Sequence, residues 1–317
     1  MKKNPILSIV IPTFNSGNVI CKCLDSIFQN KTSFEYEIIL SDDGSNDDIL
    51  NIVSPYLAKN KNTRIIKNSH KGAQNARLKG LLDSKGQIVF FLDSDDQISS
   101  NFIERVCETF VKRKFDLLLI NAICVSKEQK EILISPETFK YVSDYSAFQE
   151  SVVFGRLGFN CCHVFSRSVL EKVDWTSLEE LSYTEDLNLY ITILKNNNLD
   201  VYILDETIYF YNFENHKLSQ IITRKKIESA IYVIKKRYSL VCNYFSAYKN
   251  TFVKSSFPLV VDWMRAIKST RKFSRKEKNE LKNILKTDVI ISDMNSIYTS
   301  LNKSMKEKLK YLFYWIL

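Results

Sequence analysis

Short apolar runs alternate with segments of helical periodicity along the first third of the chain. Apolar residues dominate four runs of strand length, at 7–15, 36–40, 63–68 and 87–92. Between these runs, apolar positions recur every three to four residues, over 18–29, 47–57 and 72–82. Strands that alternate with helices predict a parallel, right-handed sheet covered by helices, which is the α/β class.

Polar side chains follow the predicted strands where each one ends. Thr13 ends the first run, Asp42 follows the second, and Asp93, Asp95 and Asp96 follow the fourth. In open α/β sheets, ligands bind outside the carboxyl ends of the strands. Carboxylates this close repel each other unless a cation lies beside them, and Mg²⁺ or Mn²⁺ binds through a few carboxylates together with substrate phosphates. The pattern therefore predicts a divalent metal site, with an ordinary polar loop as the alternative.

Four segments, in this order, resemble the signatures of family-2-type nucleotide-sugar glycosyltransferases: Pro12-Thr13-Phe14-Asn15, Ser41-Asp42-Asp43-Gly44-Ser45, residues 72–77, and Leu92-Asp93-Ser94-Asp95-Asp96. The resemblance is close over residues 1–110 and extends more loosely to residue 215. It implies a GT-A fold, a Rossmann-like α/β unit with a mostly parallel sheet flanked by helices. Bacterial relatives of this kind commonly build capsular and other surface polysaccharides.

The resemblance also implies roles for individual residues. A nucleotide sugar would be bound by Pro12, Thr13, Phe14, Asn15, Asp42, Asp43, Arg77, Asp93 and Ser94. Asp93 and Asp95 match the Asp-x-Asp element that holds Mn²⁺ or Mg²⁺ at the donor phosphates, and the place of Asp96 stays open. Two alternatives remain, because Asp42 lies in a good turn sequence and Arg77 fits a solvated helix surface.

Asp186 and Glu185 resemble the Glu-Asp pair that supplies the catalytic base in inverting members of the family. Apolar residues after them recur at helical spacing, which places the pair at a helix N-terminus. Carboxylates are favoured there by the helix dipole, so helix stabilisation alone is an alternative explanation. We expect Asp186 to be the base. Glu185 either positions the acceptor or serves as the base in place of Asp186.

A late Tyr-rich segment departs from the family pattern. Many relatives carry arginines after this strand, whereas residues 209–217 contain none. His216 is a candidate third metal ligand and Lys217 a candidate phosphate contact. A lone histidine is more often a packed or solvated side chain, so the diphosphate contacts of this segment stay open.

Charge divides the chain at residue 216. Residues 217–317 contain 22 Lys and Arg against 7 Asp and Glu, whereas residues 1–216 contain 23 against 29. We therefore predict a GT-A catalytic domain at 1–216 and a basic helical region at 217–317. Its predicted helices cover 227–244, 251–268, 274–286 and 302–317, with Pro258 interrupting the second.

The basic region ends in Tyr311-Leu312-Phe313-Tyr314-Trp315-Ile316-Leu317. Basic residues beside an aromatic end suit an anionic membrane surface, and docking on the protein or in a homodimer is the alternative. No stretch reaches the length of a transmembrane helix, and Met1-Lys2-Lys3 leads almost directly into the first strand. These features predict a cytoplasmic location, with peripheral binding to the inner face of the cell membrane.

The whole pattern predicts a metal-dependent inverting glycosyltransferase, a hexosyl- or N-acetylhexosaminyl-transferase. Its donor would be a nucleotide sugar, with UDP as the expected nucleotide, and its acceptor a glycan or lipid-linked oligosaccharide. A sugar nucleotidyltransferase would also use acidic strand ends and Mg²⁺, but residues 12–17 lack its Gly-rich phosphate loop. A non-catalytic membrane adaptor is a further alternative. Nucleic acid is not an expected partner, because residues 1–216 are acidic and the tail has no groove-reading motif.

Overall fold

A computed structural model describes residues 4–125, 131–134, 162–178, 185–194, 199–212 and 223–300. These residues fall into two compact units, the first comprising the described residues up to 212 and the second comprising 223–300. His216 and the predicted helix at 302–317 lie outside the described residues.

The first unit begins with the predicted alternation of strands and helices, which is confirmed. Its elements are β1 (Leu7–Thr13), α1 (Ile20–Phe28), β2 (Tyr36–Asp42), α2 (Ile49–Lys59), β3 (Thr63–Lys67), α3 (Ala73–Asp83) and β4 (Ile88–Phe91). The strands β1 and β4 are buried throughout because the sheet is covered on both faces. All pairings among β1 to β4 are parallel, and the register sets Thr13 opposite Asp42.

Five more strands complete the sheet. The later elements are β5 (Gln97–Ile98), α4 (Phe102–Lys112), β6 (Leu117–Val125), β7 (Glu131–Ile134), β8 (His163–Ser166), α5 (Arg167–Leu170), a 3-10 turn (Trp175–Leu178), α6 (Glu185–Leu194) and β9 (Val201–Asn212). The strand order is β3-β2-β1-β4-β8-β6-β9-β5, with β7 paired to β6. Within the described residues, β6 and β9 are parallel, whereas β8, β7 and β5 pair antiparallel with their neighbours. Parallel pairing is thus concentrated in the first half, where each strand is followed by a crossover helix.

The helix α3 packs unusually close to the sheet. Ser41 donates a hydrogen bond of 2.7 Å to the carbonyl oxygen of Ala76. A Cβ atom added to Gly80 would overlap Cγ1 of Val10, so only glycine allows this approach. The close packing brings the next residue of α3, Arg77, to the end of β4.

The second unit is helical, as the sequence predicted. It contains α7 (Arg224–Tyr244), α8 (Lys249–Ser269), α9 (Arg275–Thr287) and α10 (Val289–Ser300), the last of which the sequence analysis did not predict. Apolar residues of all four helices form one core, which includes Phe252, Phe257 and Met264. The prediction that Pro258 interrupts the second helix is wrong, because α8 runs through it. Burial of Phe257 and of Val260, two residues after the proline, offsets the loss of the hydrogen bond that the proline removes. Within the described part of the chain, no helix combines the length and apolarity that a bilayer crossing requires.

Candidate active site

A cavity of about 610 Å³ opens at the carboxyl ends of β1 and β4. Nine of the residues predicted to bind a nucleotide sugar or metal line it: Pro12, Thr13, Phe14, Asn15, Asp43, Arg77, Asp93, Ser94 and Asp95. Asp186 is tied to this group through Arg77. The location agrees with the general rule for α/β sheets.

The first wall of the cavity is the loop between β1 and α1. Asn15 adopts the left-handed region with φ of 51°, a conformation that costs energy for a residue other than glycine. Two hydrogen bonds hold it there: its N–H donates to Ser45 Oγ at 2.8 Å, and its Oδ1 accepts from Asn46 N at 2.8 Å. Gly17 N donates to Asp47 Oδ2 at 2.8 Å. The loops after β1 and β2 are therefore joined to each other.

The two neighbouring aspartates after β2 play different parts. Asp42 is buried, and its Oδ1 accepts hydrogen bonds from the N–H and the hydroxyl of Ser45. Asp42 therefore stabilises a turn, which was the alternative role expected for this residue. Turn formation uses only Oδ1 and does not exclude a ligand contact through Oδ2. Asp43 lines the cavity and its carboxylate accepts from Lys71 N and Gly72 N at 2.9 and 2.8 Å. Asp43 thereby fixes the start of α3.

Two aromatic rings form a flat platform on the cavity wall. Phe14 stacks on His70 with ring centroids 4.3 Å apart and an angle of 30° between the planes. The imidazole Nδ1 lies 3.0 Å from the carbonyl oxygen of Asp43, which orients the ring. Phe14 is 39% exposed and lines the cavity, so part of this residue is accessible to a ligand. His70 was not predicted to be a site residue, because a single histidine carries no pattern.

The acidic segment after β4 is anchored at both ends. Leu92 N donates to the Val10 carbonyl at 3.0 Å, and Ser94 Oγ lies 2.8 Å from Ser16 Oγ. Asp96 is fully buried, and its two oxygens accept from the Tyr209 hydroxyl and from Asn212 N.

Burial, together with repulsion from Asp93, raises the pKa of Asp96 to about 8, although the hydrogen bonds from Asn212 and Tyr209 lower it. Asp96 therefore anchors the segment to β9 and leaves Asp93 and Asp95 on the cavity wall.

Arg77 connects the cavity to α6. Its side chain is 5% exposed, so the alternative of a solvated helix surface is wrong. Nη2 lies 2.9 Å from Asp93 Oδ1, and Nη1 lies 3.4 Å from Asp186 Oδ1. One guanidinium thus pairs with two carboxylates, Asp93 at 16 residues and Asp186 at 109 residues from Arg77 in the sequence. A planar guanidinium suits this double contact better than a lysine ammonium.

Asp186 lies in the first turn of α6, one residue after Glu185. The helix is anchored by buried residues that include Leu189, Tyr190 and Ile191. Tyr190 Oη lies 2.9 Å from His163 Nδ1, which connects α6 to β8. Asp186 remains half-buried, with a side chain 24% exposed. The side chain of Glu185 lies outside what the structure describes.

Asp93 and Asp95 fit the donor set of a divalent cation. Both present carboxylate oxygens on the wall of the same cavity. Within the described residues, no group of three or more His, Cys, Asp or Glu side chains is placed to hold a metal. A Mg²⁺ or Mn²⁺ ion bound with a nucleotide needs only one or two protein carboxylates, since the phosphates supply further oxygens. The two aspartates therefore fit an ion that binds together with its substrate.

Comparison with other proteins identifies glycosyltransferases as relatives of this chain. The chain is 23% identical over 227 residues to the uncharacterized glycosyltransferase EpsJ of Bacillus subtilis, covering 68% of this chain and 64% of EpsJ. It is 39% identical over 102 residues to the poly(ribitol-phosphate) beta-glucosyltransferase of Bacillus spizizenii, covering 31% of this chain and 16% of that protein. The chain thus spans less than two thirds of the length of either relative.

A solved structure shares the fold. The crystal structure of S. aureus TarS 1-349 in complex with UDP-GlcNAc matches with a TM-score of 0.63 and 18% identity, covering 92% of this chain and 81% of TarS 1-349. This likeness confirms the GT-A fold that the four motifs implied. The sequence profile described as "Glycosyl transferase family 2" matches residues 8–174, which is more than half of the chain. The chain therefore belongs to glycosyl transferase family 2.

Proposed function

We propose that this chain is an inverting glycosyltransferase that moves a sugar from a UDP-sugar to a hydroxyl of a glycan or lipid-linked acceptor during surface polysaccharide synthesis. The observation that carries the proposal is the double pairing of Arg77 with Asp93 and Asp186. The carboxylate proposed to hold the cation of the donor diphosphate and the one proposed to abstract the proton contact the same guanidinium. The names of the relatives support a sugar transferase, and the TarS complex supports a UDP-linked donor.

The nucleoside binds at the end of the cavity formed by Pro12, Thr13, Phe14 and Asn15. The hydroxyl of Thr13 is buried and lacks a hydrogen-bond partner within the described residues, so a ligand there supplies one. The stacked rings of Phe14 and His70 offer an aromatic face to the base. Asp42 does not line the cavity and supports the nucleoside end indirectly through the Ser45 turn, and Asp43 holds the adjoining loop in place.

The diphosphate binds near Asp93, Ser94 and Asp95. A divalent cation held there by Asp93 and Asp95, with His216 as a third candidate ligand, would supply electrostatic stabilisation of the departing diphosphate. Arg77 contributes a fixed positive charge on the same side, and its pairing with Asp93 orients that carboxylate. The buried anchor at Asp96 keeps the segment from moving as the substrate enters.

Asp186 accepts the proton of the acceptor hydroxyl. The oxygen of that hydroxyl attacks the anomeric carbon from the face opposite the diphosphate, which inverts the configuration. The side chain of Asp186 is partly exposed, which leaves its carboxylate open to an acceptor. Glu185, next to it in the first turn of α6, positions the acceptor or takes over as the base.

The direct test is nucleotide release from a panel of UDP- and GDP-sugars, with and without Mn²⁺ or Mg²⁺ and with a glycan acceptor. We expect metal-dependent release of UDP from at least one sugar nucleotide. Release of pyrophosphate instead would indicate a nucleotidyltransferase, and no release from any donor would contradict the proposal.

We predict that Asp95→Ala removes the metal dependence of UDP binding, because it deletes one of the two carboxylates on the cavity wall. Calorimetry in Mn²⁺ should show UDP affinity reduced about tenfold or more, the scale of one lost charge-assisted contact. Asp48→Ala, at an exposed position before α2, is the matched control and should bind as the unmodified protein does. Unchanged UDP affinity of Asp95→Ala in Mn²⁺ would move the metal elsewhere.

We further propose that the second unit binds an anionic membrane surface. Lys282 and Lys286 lie one turn apart on α9, in an open surface region that Glu280 also lines. Burial, and then repulsion from these two lysines, lowers the pKa of Lys268 on α8. The nearby acids of α9 are engaged elsewhere, since Glu280 pairs with Arg224 and Glu277 caps the helix. A cluster of this kind attracts lipid phosphates.

The expected result for Lys282→Glu/Lys286→Glu is at least about tenfold weaker binding to vesicles that contain phosphatidylglycerol, given about 1 kcal/mol for each lysine near an anionic surface. Binding is measured by co-sedimentation with these vesicles and is compared with co-sedimentation with vesicles of phosphatidylcholine alone. Lys225→Glu/Lys254→Glu, at exposed positions of α7 and α8, makes the same charge change outside the cluster. Equal loss in both double variants, or binding that is insensitive to salt, would show that the cluster is not the contact.

A further inference from the structure

The side chain of Gln74 is an anomaly in the first turn of α3. It is only 4% exposed, yet neither its amide nitrogen nor its amide oxygen has a hydrogen-bond partner in the described part of the chain. Buried polar atoms in folded proteins are nearly always hydrogen-bonded, so an amide with both ends unsatisfied needs an explanation. A group that binds only during the reaction is one explanation.

The position of Gln74 on α3 relates it to the active site. Residues three apart lie on the same face of a helix, so Gln74 and Arg77 share a face. That face of α3 points to Asp93 and Asp186, the two partners of Arg77. Ala73, Ala76 and Arg77 line the cavity, whereas Gln74 is not part of the lining and is buried next to these residues. Gln74 therefore lies beside the part of the site between the diphosphate and the proposed base.

The chemistry of an amide narrows the choice of ligand. A phosphate only accepts hydrogen bonds, so it would leave the amide oxygen of Gln74 unsatisfied and facing negative charge. The nucleoside belongs at the other end of the cavity, beside Thr13 and the ring pair of Phe14 and His70. A sugar hydroxyl both donates and accepts, so two neighbouring hydroxyls match both ends of the amide.

We propose that Gln74 is a specificity-determining residue that hydrogen-bonds the hydroxyls of the transferred sugar. This inference rests on the proposed function, because it needs a nucleotide sugar in the cavity. The sugar satisfies the two buried atoms that the protein alone leaves unsatisfied. A site whose polar groups are paired only by the correct substrate discriminates strongly against sugars that lack the matching hydroxyl.

The test compares Gln74→Met with the unmodified protein, since methionine has a similar length and shape but no amide. The probes are UDP, UDP-glucose and UDP-N-acetylglucosamine, with binding measured by calorimetry and turnover by UDP release. We expect kcat/KM for the UDP-sugar that is turned over to fall about tenfold, or about 1.4 kcal/mol, with UDP affinity unchanged. Tm should stay the same or rise, because the variant removes two unsatisfied polar atoms. Lys79→Met, at an exposed position of the same helix, is the control.

Two results would overturn the inference while the proposed function stands. A lower Tm with unchanged kcat/KM would make Gln74 a structural residue, for example one bonded to a buried water. Equal loss of UDP and UDP-sugar binding would place it at the nucleotide instead. If the unmodified protein releases no UDP from any donor of the panel, both the proposed function and this inference are overturned.

Discussion

Asp186→Asn should bind the donor normally and transfer almost nothing. Asparagine has the same size, and its Oδ1 still accepts a hydrogen bond from Arg77 Nη1, so the fold and the position of α6 should be retained. It cannot take a proton from the acceptor hydroxyl. Loss of a general base typically lowers the rate by about 10²–10⁴. We therefore expect kcat to fall on this scale while UDP affinity by calorimetry is maintained.

Two further variants complete this experiment. Asp200→Asn, at an exposed residue paired with Arg113, makes the same chemical change outside the cavity and should leave kcat unaffected. Glu185→Gln tests the other carboxylate of the pair. Near-normal turnover of Asp186→Asn together with an inactive Glu185→Gln would transfer the role of the base to Glu185.

Arg77→Met should lose transfer and some stability together. The guanidinium is nearly buried between Asp93 and Asp186, whose side chains are 28% and 24% exposed. Without it, two partly buried carboxylates lose their cation, and the free energy of unfolding should fall by about 1–2 kcal/mol once solvent screening is considered. Since the proposed function has Arg77 orient Asp93 toward the donor diphosphate, kcat/KM should fall by about 10² or more.

The comparison with Arg77→Lys separates charge from geometry. Lysine restores a positive charge but not the planar pair of N–H donors, so stability should recover more than transfer does. Arg105→Met is the matched control, because Arg105 also joins two carboxylates, those of Glu206 and Glu108, away from the cavity lining. Full transfer by Arg77→Lys, measured by UDP release and urea denaturation in parallel, would show that the double contact is not required.

The sequence predicted the first half of the fold well because each strand and helix there has its own local signal. The strand β4 is wholly apolar and β1 is mostly apolar, and polar residues follow both, so their ends are visible in the sequence. The carboxyl ends of parallel strands necessarily meet at one edge, which is why Thr13, Asp93 and Asp95 lie around one cavity. The antiparallel strands β5, β7 and β8 have no comparable signal, because each is only two to four residues long.

The site was less predictable than the fold, because contacts between distant segments decide which side chain points where. Asp42 and Asp43 are adjacent and chemically identical, yet only Asp43 lines the cavity. Asp96 matched the acidic cluster, but its hydrogen bonds to Tyr209 and Asn212 make it an anchor. His70 and Gln74 carry no motif at all, and their place depends on the turn before α3 and on its close packing against β1.

The hydrogen bonds from Asn15 to Ser45 and Asn46 have a consequence for protein engineering. Because two hydrogen bonds from the loop after β2 support the left-handed conformation of Asn15, the structures of the two loops depend on each other. Chimeras that exchange one of these loops with a relative should misplace the nucleotide end of the site, whereas exchanging both together should preserve it. Natural variation at the two positions is therefore expected to be correlated across the family.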